Sequence, residues 1–178
     1  MSFAHSRLIY IRRALMALLV VFTAVAQHID GAIPDLFSVP AMILVPLVVS
    51  IAMFERSMAG LFFGAFAGIL WDFATVRGDG YFSVIMACVG FFSGVAVTYF
   101  MRNNIYSALV LGSISVLICN TGYWLLFIMR KGYEGAFGVL WSYYLPSALY
   151  TMIFMFLYYY LVKYIVGITT DKKKRSNY

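Results

Sequence analysis

The chain has 178 residues, 63% apolar and 11% charged, with a net charge of +6 from 13 Lys and Arg against 7 Asp and Glu. Ordinary soluble domains are roughly 45–50% apolar and about 25% charged, so this composition excludes that class and, equally, intrinsic disorder. The basic residues sit at the ends of long apolar runs rather than on one face, which excludes a nucleic-acid reader.

A bilayer core of about 30 Å needs roughly 20 helical residues. Six runs of about that length stand between charged or turn-forming breaks: Leu8–Ala26, Leu36–Phe54, Ser57–Val76, Tyr81–Met101, Ile105–Met129 and Leu140–Tyr164. Stretches such as Ala41–Met53 lack the apolar–polar alternation of barrel strands. The expected fold is an all-α, six-helix transmembrane bundle over residues 1–170 with a basic cytoplasmic tail at 171–178. Short breaks make consecutive helices antiparallel neighbours.

In the first run Arg12 and Arg13 precede an apolar stretch, as in a signal peptide, but more membrane sequence follows, so a retained helix is expected. In the second, Pro40 and Pro46 each remove a backbone donor and predict a bend. The third carries Gly60, Gly64 and Gly68, a ridge of small residues on one side of the helix that ends in Asp72. Helices in lipid associate by close packing, so such a ridge predicts a helix lying on it, from this chain or from a partner. A carboxylate within a span is costly, which makes Asp72 a candidate functional residue with Arg77 or His28 as partner. Alternatively, the helix ends early and Asp72 caps or solvates its end.

The fourth run offers a shorter match in Gly90, Ser93, Gly94 and Thr98, a secondary packing face. In the fifth, Asn120 lies near the middle, where an interhelical hydrogen bond is expected. Cys88 and Cys119 fall inside apolar runs and are expected to pack as small hydrophobes. Aromatic residues mark both ends of the last run, Trp141, Tyr143 and Tyr144 at one and Tyr158, Tyr159, Tyr160 and Tyr164 at the other.

With six spans both termini share a side. That side collects ten Lys and Arg and the other three, Arg77, Arg130 and Lys131, which predicts cytoplasmic termini. His5 and His28 are the only histidines, no acid, base and nucleophile share a depth, and no glycine loop cradles phosphate. No enzyme activity, metal or cofactor is expected.

The proline-containing second run, the Gly60, Gly64, Gly68 ridge ending in Asp72 and the following Gly80 give the chain a resemblance to MreD, the rod shape-determining inner-membrane protein family. The specific part covers about residues 34–94, and the charged turn Arg77-Gly78-Asp79-Gly80 and the aromatic last helix depart from the pattern. The resemblance implies a non-enzymatic scaffold of the bacterial cell-wall elongation machinery in the inner membrane. Its implied partners are the single-span protein MreC, the MreB filament, the RodA glycosyltransferase and its partner transpeptidase. It also implies a fold similar to the substrate-binding subunits of energy-coupling-factor transporters, whose vitamin-capture role is the alternative function.

Overall fold

The computed structural model describes residues 2–29, 42–75, 80–128 and 145–170. Every element among them is helical: α1 Ser2–His28, α2 Leu44–Glu55, α3 Ser57–Ala74, α4 Tyr81–Tyr99, α5 Ile105–Tyr123 and α6 Leu145–Thr169. A π-helical turn, Trp124–Ile128, continues α5. Five stretches, Leu8–His28, Ser57–Ala74, Tyr81–Tyr99, Ile105–Leu126 and Thr151–Thr169, are long and apolar enough to cross a membrane. Only 22–33% of each is buried within the chain, so most of their apolar surface faces outward, where lipid is its natural solvent. This is the pattern of a multi-pass membrane protein.

The second run departs from expectation. Met42 and Ile43 are not helical, α2 begins at Leu44 rather than Leu36, and its 12 residues span only about 18 Å, short of a bilayer. Pro46 explains the position of this start. It is the third residue of α2, in the first turn, where a missing N–H leaves no intrahelical bond unmade. Pro46 therefore opens α2 instead of bending it, while Pro40 lies outside the described residues. Leu44 to Met53 and Glu55 are buried, and every other helix packs against α2, which makes it the axis of the bundle.

A buried helix start needs acceptors for its free N–H groups, since apolar surroundings supply none. Neighbouring helices provide them here. Gln27 Oε1 of α1 accepts from Leu44 N–H at 3.1 Å, and Thr151 Oγ1 of α6 accepts from Met42 N–H at 3.2 Å. Thr23 and Tyr158 join the same two outer helices through a 3.2 Å hydroxyl pair.

The opposite end of α2 is ionic. The Glu55 carboxylate, its side chain 2% exposed, is paired with Arg12 Nε of α1, and Arg13 Nε lies 3.9 Å away. Arg56 alone separates α2 from α3, with φ 75° and ψ 170°, a conformation that side chains strongly disfavour. Asn103 Nδ2 donates to Met53 O at 3.2 Å and ties the start of α5 to this junction.

Candidate functional site: a glycine seam closed by Asp72

The Gly60, Gly64 and Gly68 ridge is covered by α4. A Cβ at Gly60 would overlap the carbonyl oxygen of Gly90, one at Gly64 that of Met86, and one at Gly68 that of Phe82. The register is regular: a step of four along α3 matches a step of four backwards along α4, as antiparallel helices with interlocking ridges require. Glycine hydrogens therefore face carbonyl oxygens along the seam, a geometry that supports weak Cα–H···O contacts and close dispersion packing. Of the two occupants the sequence leaves open for this face, the structure supplies a helix of the same chain.

Gly90 and Gly94 complete the seam from the other side. A Cβ on Gly90 would overlap Gly60 O, and one on Gly94 would sit 2.5 Å from Ser57 Cα. Gly94 thus leaves room for the sharp junction at Arg56.

Asp72 closes the far end. Its Oδ1 accepts from Phe82 N–H at 3.2 Å, and its Oδ2 accepts from Ser83 N–H at 2.9 Å and from Ser83 Oγ at 2.5 Å. These are first-turn groups of α4. The residue at the N-cap of that helix is Gly80, in the left-handed region at φ 68°, and it has no side chain to cap with. Asp72 performs this task from the preceding helix, and its negative charge lies against the positive end of the α4 dipole. His28 has other contacts: its Nδ1 pairs with Ala24 O at 2.8 Å, and its ring meets Trp71 edge-on at 5.5 Å. Arg77 lies outside the described residues.

Aromatic rings surround this closure. Trp71 packs against Phe82 at 4.7 Å, and Phe82 stacks on Tyr123 at 5.8 Å. Tyr81 donates from its hydroxyl to Cys119 O at 3.1 Å, in space that a Cβ on Gly122 would occupy. Both cysteines are free thiols, Cys119 buried and Cys88 exposed, and Asn120 is buried within α5.

The arrangement is architectural in its chemistry. Both Asp72 oxygens are taken by α4 donors, and the ion pairs among the described residues are those of Arg12 and Arg13 with Glu55. No group of three or more His, Cys, Asp or Glu side chains that could hold a metal occurs among the described residues. Sequence reasoning missed Glu55, which falls in the short break between the second and third runs, and missed the capping roles of Gln27 and Thr151. The available signal was Arg12-Arg13 in α1, a pair of cations without an acid of their own on that helix.

Comparisons with family models, with curated proteins and with solved structures return no match.

Proposed function

We propose that the chain is a non-enzymatic membrane scaffold of the bacterial cell-wall elongation machinery, similar to MreD, that acts on rod shape by binding a single-span partner resembling MreC. In this reading it is a six-helix bundle of the inner membrane with both termini in the cytoplasm. The supporting observation is that the residues carrying the resemblance form one interdependent unit: Gly60, Gly64 and Gly68 admit α4, Gly80 starts it, and Asp72 caps it. A rigid hairpin of this kind suits a protein whose task is to hold other membrane proteins in place. Because α4 occupies the ridge, partner binding falls to the outward faces of the bundle.

The alternative, substrate capture for a vitamin-type energy-coupling-factor transporter, draws on the gathering of Gln27 and Thr151 at the head of α2. Both acceptors already hold backbone N–H groups there, which favours the scaffold.

Affinity purification of the full chain from native membranes in mild detergent, followed by mass spectrometry, tests the reading. The scaffold predicts recovery of MreC, with MreB, RodA and its transpeptidase. Recovery of an ATPase module, or of none of these proteins, contradicts it.

A further inference from the structure

Cations gather around the junction between α2 and α3. Arg12 and Arg13 come from α1, Arg56 is the junction residue, Arg102 precedes α5 and Lys163 belongs to α6. Contacts tie these segments together: Asn103, next to Arg102, bonds Met53 O near the end of α2, and the Tyr159 hydroxyl, beneath Lys163, donates to Asn103 O at 3.3 Å. Glu55 and Asp72 are the acidic residues among the described ones, and Asp72 caps α4 at the far end of the hairpin. One carboxylate therefore serves five cations. Arg12 takes it, and Arg13, its side chain 55% exposed, reaches it only at 3.9 Å.

Arg56 stands out within this excess. Its backbone, at φ 75° and ψ 170°, has the conformation that glycine adopts readily and other residues do not. Its exposed guanidinium makes no ion pair or hydrogen bond among the described residues. The surroundings nevertheless hold the backbone in place. Gly60 N–H donates to Arg56 O at 2.9 Å, and α4 lies so close that a Cβ on Gly94 would sit 3.0 Å from Arg56 C. A costly conformation that its neighbours fix, and that presents an unpaired cation, is what a ligand clamp requires.

The depth of the junction identifies the ligand. Tyr99 and Tyr106, 77% and 78% exposed on either side of Arg102, form an aromatic belt of the kind that marks the headgroup level. Phosphate is the anion of that level, and the planar guanidinium fork matches its oxygens. A zwitterionic headgroup brings its own cation, so the surplus of positive charge selects a lipid with net negative charge.

We propose that the α2–α3 junction binds the phosphate of an anionic phospholipid headgroup through Arg56 and Arg13, while Arg12 stays with Glu55 and the more peripheral Arg102 and Lys163 add background charge. The proposal is independent of the scaffold reading.

The delipidated full chain, titrated with phosphatidylglycerol or phosphatidylcholine in detergent, tests it by native mass spectrometry, which reads the preference for the anionic lipid as a ratio of retained lipid. Arg56→Ala keeps the strained backbone and removes the guanidinium; Arg56→Gly removes both. Each is expected to lower the preference about fivefold, the factor that one charge at a membrane surface supplies. Arg56→Gly should do so while raising the thermal midpoint of the lipid-free chain, which separates lost binding from lost folding. Arg102→Ala is expected to lower the preference by less than twofold, and Arg13→Gln with Arg56→Ala to abolish it.

A wild-type chain with no preference for phosphatidylglycerol overturns the proposal. So does a preference that survives both Arg56 variants or the double variant. An equal loss in Arg102→Ala and Arg56→Ala would reduce the effect to a diffuse surface field without a site. Competition by inorganic phosphate that displaces phosphatidylglycerol completely would assign the site to a soluble anion, and that result also overturns it.

Discussion

Asp72 holds the backbone N–H of Ser83 at 2.9 Å and so caps a helix to which it does not belong. The bond joins the end of the glycine ridge on α3 to the start of α4, and makes the seam and the turn a single unit. Asp72→Ala removes three hydrogen bonds at once. The expected loss is about 1–2 kcal/mol, the range for a helix cap, read as a lower thermal midpoint in detergent. Asp72→Asn keeps acceptor capacity and is expected to lose less. Equal loss in both variants would place the effect in charge rather than in capping.

Glycine-to-alanine changes along the bundle separate rigid from yielding neighbours. At Gly64 the new Cβ meets backbone atoms of Met86 and Ala87, which cannot move without shifting α4. At Gly112 it meets Met155 Sδ at 3.0 Å, part of a flexible side chain. Gly64→Ala is therefore expected to cost several-fold in folded yield and Gly112→Ala little. Fluorescence-detected size exclusion measures both.

The Glu55–Arg12 pair is the main ionic contact of the buried axis. Removing Arg12 leaves the buried Glu55 carboxylate with only the more distant Arg13, 3.9 Å away, and the cost approaches the roughly 3–5 kcal/mol of a broken buried pair. Arg12→Met alone is expected to destabilise strongly, and Arg12→Met with Glu55→Leu to recover most of the loss. A double variant no better than the single one would show that the pair is not a coupled unit.

Arg56 carries strain that its exposed side chain does nothing to offset, since only glycine adopts φ 75°, ψ 170° readily. Arg56→Gly is expected to stabilise the chain by about 1 kcal/mol or more, and Arg56→Ala to leave the strain in place. Thermal unfolding of the two variants side by side checks this.

Much of the fold was legible because its signals are local. The runs expected to start at Ser57 and Tyr81 match the starts of α3 and α4, with the turn glycine Gly80 immediately before α4. α6 runs on to Thr169, past the expected Tyr164, through the further apolar residues Ile165, Val166 and Ile168; within it the Lys163 ammonium lies 5.9 Å over the Tyr159 ring. The start of α2 was illegible: Met42 and Ile43 are apolar like the helix they precede, and composition cannot tell such non-helical residues from helical ones. The roles of Asp72, Gln27 and Glu55 depend on which helix lies opposite, and single-sequence periodicity does not specify that register. The expected basic tail at 171–178 lies outside the described residues.

The central claim is that the Gly60–Gly68 ridge is interior to this chain and sets its fold, with partners binding elsewhere. Gly64→Leu tests it most directly, expressed with and without the proposed MreC-like partner and followed by size exclusion. The account predicts loss of the monodisperse species in both cases, because Met86 and α4 are displaced whether or not a partner is present. A Gly64→Leu protein that stays abundant and monodisperse but no longer retains the partner would contradict it.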